Sequence, residues 1–318
     1  MFTNDQPFQI GIDLGGTKIE LVVLNSEREQ IYRKRIETQA SKGAHHILDQ
    51  IEVLYKPAKK LYPNHTLGVG TPGSLSKLNG LLRNSNTTCL NGLALGEMIE
   101  EKLDHAVVCE NDANCFALAE ALMGSGKDYS CVFGVIIGTG CGGGWVFNKK
   151  LRPGPQRIAG EWGHTVLDPQ GLECFCGQRG CVETFISGSG VERHFALTQP
   201  IHADTKKCEE IFLLASHAPA QPSELNAQAK RIVDMFYSSL GQSLANLINT
   251  VDPDVVVLGG GLSNIDGIEQ RATLEVKKRV FTTEFTTPIL RHTLGDSAGV
   301  IGAALIAADM QRRPHKNY

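Results

Sequence analysis

One strand-turn-strand pattern occurs twice in this sequence, 123 residues apart. The first copy is "FQIGIDLGGTKIELVVLN" (residues 8–25) and the second is "CVFGVIIGTGCGGGWVFN" (residues 131–148). Four identical pairs coincide in this register: Gly11 with Gly134, Gly15 with Gly138, Val23 with Val146, and Asn25 with Asn148. Each copy is typical of two apolar strands joined by a glycine turn. The repeat therefore predicts two related domains, each beginning with a glycine-turned hairpin.

Strands alternate with helical patterns along the rest of the chain. Helical patterns cover residues 44–60, 93–103, a stretch from about Ala113, 224–250 and 299–312. Apolar strand patterns occur in "TLGVGTPGSLS", "AVVCEND" and "VVVLGGGLSN". This alternation predicts an α/β fold, and 318 residues suffice for two domains of ordinary size.

Charge and hydropathy exclude several functional classes. A formal net charge of −3 provides no broad attraction to nucleic acid or to an anionic membrane. No apolar run approaches the roughly 18–20 residues of a membrane span. The start "MFTNDQPFQIGID" lacks the basic and apolar regions of a signal peptide. We therefore expect a cytoplasmic protein with neither nucleic acid nor membrane as a partner.

The turn "GTGCGGG" (residues 138–144) matches the dinucleotide-binding pattern G-x-G-x-x-G. That fingerprint must open a helix, whereas the following "WVFNKKL" predicts a second strand. A P-loop is excluded because G-x-x-x-x-G-K-[ST] occurs nowhere in the chain. Two interpretations remain: a plain glycine hairpin, and a turn whose backbone N–H groups hold phosphate.

Two similar turns, "DLGGTK" (residues 13–18) and "LGGGLSN" (residues 258–264), favour the phosphate role. Each directly follows a strand, so the three turns fit a nucleotide held between two domains. Asp13 adds a carboxylate suited to magnesium-bound water, and Thr17 and Lys18 can contact phosphate oxygens. The predicted nucleotide-binding residues are Gly11, Asp13, Gly15, Gly16, Thr17, Lys18, Gly138, Thr139, Gly140, Gly142, Gly143, Gly259, Gly260 and Gly261.

Three of the nine cysteines fall within eight residues. Together with His164, the residues Cys174, Cys176 and Cys181 have the spacing H-x9-C-x-C-x4-C. Four imidazole and thiolate ligands suit a closed tetrahedral zinc site, which indicates a structural metal. The alternative is a thiol cluster without metal, which would be liable to oxidise. We predict structural zinc at these four residues.

Six ordered motifs together resemble the ROK family of bacterial sugar kinases. They are "GIDLGGTK", "ENDANCFALAEA", "IIGTGCGGG", "GEWGH", "CFCGQRGCVETFISG" and "DPDVVVLGGGLSN", and the resemblance covers residues 9 to about 308. It implies two ribonuclease H-like domains in an actin/hexokinase-like fold, with ATP, Mg²⁺ and sugar bound in the cleft between them. It also implies a homodimer. We predict a first domain of residues 1–118 with 300–318, and a second of 119–299 that carries the zinc-binding loop and the dimerisation surface.

The resemblance also assigns the catalytic and sugar-binding residues. On its own, Asp112 in "CENDANC" is typical of a helix N-cap. Its match to the family's Asn-Asp motif makes it the general base that accepts the proton of a sugar hydroxyl. The sugar-binding residues carried over by similarity are Gly73, Asn86, Asn111, Asp112, Glu161, His164 and Glu183. None of their side chains is a strong cation, which fits a free sugar better than a sugar phosphate.

Within the family, "GTPGSLS", "RNSNTTCLNG" and "GEWGH" most resemble the bacterial fructokinase/mannokinase type. We therefore expect ATP-dependent phosphorylation of the 6-hydroxyl of fructose, with mannose or glucose as further substrates. Cys89 departs from this type, whose members carry tryptophan there, and the loop between His164 and Cys174 is short. An N-acetylglucosamine or N-acetylmannosamine kinase is the alternative. A sugar-responsive ROK repressor is disfavoured, since the first glycine turn lies too early to leave room for a helix-turn-helix domain.

Overall fold

The computed structural model describes residues 7–200, 204–216 and 223–311, which form two compact units. Unit 1 takes its described residues from Met1–Lys127, Gly144–Ala159 and Leu294–Tyr318. Unit 2 takes its described residues from Asp128–Gly143 and Gly160–Thr293. The domain limits predicted from the sequence, 1–118 with 300–318 and 119–299, stay a prediction.

The first sheet is mixed. The strands before residue 112 are β1 (Phe8–Leu14), β2 (Lys18–Leu24), β3 (Gln30–Glu37), β4 (His65–Thr71), β5 (Ser74–Leu75), β6 (Leu82–Arg83) and β7 (Val108–Asn111). Five of them form a sheet in the order β3-β2-β1-β4-β7, in which β1, β4 and β7 are parallel, while β5 and β6 pair separately. The helices of this part are α1 (Ala44–Leu61), α2 (Leu95–Leu103) and α3 (Asp112–Leu122). Runs of buried branched side chains make β1 and β2 central strands.

The second sheet has the order β10-β9-β8-β11-β12. Its strands are β8 (Cys131–Ile137), β9 (Cys141–Phe147), β10 (Lys150–Leu151), β11 (Val255–Gly259) and β12 (Ile289–Arg291). The remaining helices are α4 (Glu183–Ile186), α5 (Gly188–Ala196), α6 (Cys208–Ser216), α7 (Glu224–Val251), α8 (Ile268–Lys277) and α9 (Ala298–Gln311). None of the helices within the described ranges has both the length and the apolar character that crossing a bilayer requires.

The sequence repeat is also a structural repeat. Strands β8 and β9 begin and end 123 residues after β1 and β2, and the burial of β8 matches that of β1 residue by residue. In each sheet, the first strand of the repeat pairs in parallel with a later strand, β4 or β11. The predicted second strand after "GTGCGGG" is therefore confirmed. The five predicted helices are confirmed as α1, α2, α3, α7 and α9 within two residues, although the predicted last residue, 312, lies outside the described residues.

Helix α9 packs closely on β1 and β4 because glycines leave room for it. A Cβ on Gly11 would lie 2.1 Å from the carbonyl oxygen of Val300. A Cβ on Gly68 would lie 1.8 Å from the carbonyl oxygen of Ala303. Only glycine permits such an approach of two backbones. The structure therefore gives Gly11 a packing role in place of the predicted phosphate contact.

Candidate active site

The carboxyl ends of β1, β4 and β7 lie together at one edge of the first sheet. In the strand register, Asp13 is the neighbour of Gly70, and Thr71 is the neighbour of Asn111. Ligands of open α/β sheets bind outside the carboxyl ends of parallel strands. This edge is therefore the candidate site of unit 1.

Asp13 places a carboxylate in a confined setting at this edge. A Cβ on Gly70 would lie 3.4 Å from its Oδ1, and a Cβ on Gly299 would lie 3.5 Å from its Oδ2. Burial, together with the carboxylates of Asp112 and Glu20, raises the pKa of Asp13 to about 7. A nearby cation would favour the ionised form, and carboxylate oxygens are ligands that Mg²⁺ prefers. The residues at this position therefore fit a magnesium ion or its bound water.

Without nucleotide and magnesium, we expect Asp13→Asn to stabilise the protein at pH 8. Folding raises the pKa of Asp13 from 3.8 to about 7, so the stability that the protonated carboxyl provides is lost as pH rises between these values. A neutral amide avoids that loss, which should raise the free energy of unfolding by about 2–4 kcal/mol at pH 8. Urea unfolding of both proteins at pH 8 and pH 4 measures the effect. An equal difference at the two pH values would contradict the assigned pKa.

The segment around the predicted sugar residue Asn86 meets the turn at Gly73 in unit 1. Gly73 has a φ of +83°, and a Cβ on it would lie 2.4 Å from the carbonyl oxygen of Arg83 and 2.9 Å from the nitrogen of Ser85. Ser85 and Thr87 are buried and hydrogen-bonded to each other, whereas Asn86 between them is exposed. The glycine thus lets the two chain segments meet, and the Ser85 hydroxyl, bonded to the backbone N–H and carbonyl oxygen of Thr87, fixes the chain on both sides of Asn86.

The first glycine turn adjoins this segment. The N–H of Gly15 donates to the carbonyl oxygen of Lys18 at 3.0 Å, which closes the turn between β1 and β2. A Cβ on Gly16 would lie 3.4 Å from the hydroxyl oxygen of Thr87. Thr17 is exposed and Lys18 is half-buried. The predicted phosphate turn and the predicted sugar residue Asn86 therefore belong to neighbouring segments of unit 1.

Asn111 and Asp112 form the junction between β7 and α3. Asn111 caps the helix, because its Oδ1 accepts hydrogen bonds from the N–H groups of Ala113 and Asn114 at 3.0 and 3.2 Å. Its Nδ2 donates to the carbonyl oxygen of Gly73 at 3.2 Å. Asp112 is the first helical residue, so its alternative interpretation as the N-cap is wrong. The cap at Asn111 fixes the backbone that carries the Asp112 carboxylate.

Two charged residues beside this junction were missed by the sequence analysis. Glu110, only 6% exposed, accepts hydrogen bonds from the N–H of Asn111 at 2.9 Å and from Nδ2 of Asn114 at 3.0 Å. Nη1 of Arg157 lies 3.5 Å from the other oxygen of Glu110. In the sequence, an acidic residue at the end of a short apolar strand could have indicated Glu110. Nothing in the sequence pattern marks Arg157.

The second glycine turn, which follows β8, and the third, which follows β11, are neighbours in unit 2. The two strands run parallel and end side by side. A Cβ on Gly260, whose φ is +82°, would lie 2.5 Å from the carbonyl oxygen of Ile137. By contrast, a Cβ on Gly138 or Gly261 would meet no atom within 4 Å, and Thr139 is exposed. The N–H of Gly138 donates to the carbonyl oxygen of Gly140 at 2.9 Å, which closes the turn, and the open space beside Gly138 and Gly261 lets phosphate oxygens approach the backbone. These two turns therefore fit the phosphate groups of a nucleotide.

One other predicted glycine of unit 2, Gly143, has a packing role. A Cβ on Gly143 would lie 2.6 Å from the ring of Phe133 and 2.8 Å from the ring of Trp162. The structure therefore gives Gly143, like Gly11, a packing role in place of a phosphate contact. The carbonyl oxygen of Gly142 accepts a hydrogen bond from Nε1 of Trp162 at 3.4 Å, and Gly259 is the buried last residue of β11.

Glu183 links the second glycine turn to the segment that follows the cysteines. Its Oε2 accepts the N–H of Cys141 at 2.8 Å, and a Cβ on Gly140 would lie 2.9 Å from the same oxygen. The short 3-10 helix Glu161–His164 packs on this turn, since a Cβ on Gly163 would lie 2.5 Å from the carbonyl oxygen of Cys141. The structure thus brings the predicted sugar residues of unit 2 together with the glycine turn.

The four predicted zinc ligands form one cluster, with the ligand atoms of His164, Cys174, Cys176 and Cys181 all within 4.8 Å of one another. Sγ of Cys174 lies 3.5 Å from Nδ1 of His164, and the Sγ atoms of Cys176 and Cys181 are 3.6 Å apart. Tetrahedral zinc separates such ligand atoms by roughly 3.5–3.8 Å. Burial and the neighbouring thiols raise the pKa of Cys181 to about 12, so metal binding would displace thiol protons. The donor set fits zinc.

Comparison with known proteins identifies the family of this chain. The model of the ROK family matches residues 9–310. This chain belongs to the ROK family. The N-acetyl-D-glucosamine kinase of Histophilus somni (strain 129Pt) is 33% identical to it over 307 residues, which cover 93% of this chain and 97% of that ROK relative.

Solved ROK structures share the fold. The ROK hexokinase from Thermus thermophilus has a TM-score of 0.81 and 30% identity, and the match covers 96% of this chain and 99% of that one. The ROK glucokinase from Streptomyces griseus, solved in complex with glucose and AMPPNP, has a TM-score of 0.79 and 27% identity, with 95% and 99% covered. The predicted fold class, two ribonuclease H-like domains of the actin/hexokinase type, is confirmed.

Proposed function

We propose that this ROK protein is an ATP-dependent kinase that phosphorylates the 6-hydroxyl of N-acetylglucosamine. The observation that carries the proposal is its 33–35% identity, over 93% of the chain, to relatives named N-acetyl-D-glucosamine kinase. The similar hexokinase and glucokinase structures support phosphoryl transfer to a sugar in general. The relatives' names favour the N-acetylhexosamine alternative over the fructose that the sequence motifs predict.

Asp112 is the proposed general base. Its carboxylate would accept the proton of the 6-hydroxyl as that oxygen attacks the γ-phosphorus of ATP, the bond from this phosphorus to the β–γ bridging oxygen breaks, and ADP leaves. The hydrogen bonds of Asn111 to Ala113, Asn114 and Gly73 support this role, because they fix the start of α3 before any substrate binds. A base that is already in place lowers the entropic cost of reaching the reactive geometry.

The residues proposed to bind the sugar are Gly73, Asn86, Asn111, Asp112, Glu161, His164 and Glu183. Their carboxylates accept hydrogen bonds from hydroxyls, and their amides both donate and accept. His164 has Nδ1 in the cysteine cluster, which leaves Nε2 for a sugar hydroxyl. This set suits a neutral, hydroxyl-rich substrate.

The residues proposed to hold ATP are Asp13, Gly15, Gly16, Thr17 and Lys18 in unit 1, and Gly138, Thr139, Gly140, Gly142, Gly259, Gly260 and Gly261 in unit 2. Bound MgATP supplies the phosphoryl group, with the metal offsetting its charge. Zinc at the four-ligand cluster would be structural, since four protein ligands leave no open position. The predicted homodimer stays a prediction.

Rates of ADP release over a panel of sugars test the proposed substrate. We expect kcat/KM for N-acetylglucosamine to exceed that for N-acetylmannosamine, fructose, mannose and glucose by at least about tenfold. The same assay on the Asp112→Asn variant, which we expect to have almost no turnover, measures the ADP released by any contaminating kinase. A preference for fructose or mannose would overturn the proposed substrate in favour of the sequence-based prediction. Absence of turnover with every sugar would contradict the proposed activity.

A further inference from the structure

Glu110 and Arg157 form an ion pair in unit 1 that has no assigned role in binding sugar or nucleotide. Nη1 of Arg157 lies 3.5 Å from Oε2 of Glu110, and the two side chains are 23% and 6% exposed. A carboxylate so far removed from water needs compensation by a cation or by hydrogen bonds. Glu110 has both.

The other oxygen of Glu110 holds the residues on either side of Asp112. Oε1 accepts the N–H of Asn111 at 2.9 Å and Nδ2 of Asn114 at 3.0 Å. Asn111 is the cap of α3, and Asn114 lies in its first turn. One buried carboxylate therefore ties the end of β7 to the beginning of α3.

Arg157 is itself held in an uncommon conformation. Its φ is +55°, in the left-handed region that few non-glycine residues adopt. The preceding residue is fixed from outside the segment, since Nη2 of Arg83 donates to the carbonyl oxygen of Gln156 at 2.5 Å. Such conformations persist where the surroundings determine them, and they concentrate at functional sites.

We propose that Arg157 is a positioning residue for phosphoryl transfer. Its guanidinium compensates and orients Glu110, and Glu110 in turn holds Asn111 and Asn114 so that the Asp112 carboxylate keeps its place at the start of α3. Arg157 acts through Glu110 and contacts neither substrate. This inference rests on the proposed role of Asp112 as the base.

A double-mutant cycle on kcat tests the proposal. Arg157→Met removes the cation and keeps an unbranched stem, and we expect it to lower kcat about 10–100-fold while KM for the sugar changes less than about threefold. Glu110→Gln keeps an acceptor oxygen and removes the charge that Arg157 compensates. The double variant should therefore be about tenfold more active than Arg157→Met alone. Two effects that simply multiply, or a loss confined to KM, would overturn the proposal.

Arg152→Met is the matched control, because Arg152 is exposed in the same segment and has no ion pair within the described part of the chain. It should keep the kcat of the wild type. Thermal unfolding checks that each variant is folded. If Arg157→Met is not folded, Arg157→Gln replaces it under the same criteria. A normal kcat for the Arg157 variant in an enzyme that Asp112→Asn inactivates overturns this inference alone. Full activity of Asp112→Asn overturns the proposed base instead.

Discussion

Asp112→Asn is expected to lower kcat by about 10²–10⁴-fold while sugar binding stays measurable. Asparagine has the size of aspartate but cannot accept the proton of the attacking hydroxyl. The substitution leaves the start of α3 intact, since the cap is the side chain of Asn111 and not that of Asp112. The loss should therefore appear in the chemical step and not in folding.

Steady-state rates of ADP release give kcat, and isothermal titration calorimetry with N-acetylglucosamine gives the sugar affinity. Asp49→Asn is the control, because Asp49 is an exposed residue whose ion pair with Lys102 involves none of the proposed site residues. We expect this control to behave as the wild type. Turnover of Asp112→Asn within a few-fold of the wild type would sink the assignment of the base.

Loss of zinc is expected to lower the Tm by roughly 10 °C and to weaken sugar binding in the same preparation. The cluster joins His164 to three cysteines that follow it in the chain, and Glu161 and Glu183 lie within three residues of its first and last ligands. Without the metal, thiols with raised pKa values would remain protonated in a small buried space. The segment that carries the proposed sugar contacts would then lose its main constraint.

Metal analysis, thermal unfolding and sugar titration of Cys176→Ser and of chelator-treated protein measure these effects. The wild type should hold one zinc ion per chain, and Cys176→Ser should hold less. Cys89→Ser is the control, because Cys89 is an exposed thiol outside the cluster. A zinc-free protein with unchanged Tm and unchanged sugar affinity would refute the structural role of the metal.

The fold could be predicted where buried strands and glycine turns left a local pattern. The two hairpins were predictable for that reason, and so were the long amphipathic helices α1 and α7. Strand β3 was missed because it is an edge strand of exposed charges, two of which, Arg33 and Arg35, pair with the buried Glu20 of β2. Its partners come from another strand, and no periodicity of its own reveals them.

The site could be predicted where its residues are close in sequence. The zinc ligands fall within one segment, so their spacing predicted the cluster. The glycines were harder to interpret, because Gly11 and Gly143 match the phosphate pattern yet meet α9 and two aromatic rings in the fold. The ion pair of Arg157 with Glu110 depends on the path of a distant loop, which no local pattern reports.

The identity of the product formed from N-acetylglucosamine and MgATP tests the proposed function most directly. Phosphorus-proton correlation NMR of the reaction mixture shows which carbon carries the new phosphate, and parallel ADP measurement gives the stoichiometry. We predict phosphate on the 6-oxygen, with one ADP formed for each sugar phosphorylated. Phosphate on another oxygen, or ADP release without a phosphorylated sugar, would contradict the proposed activity.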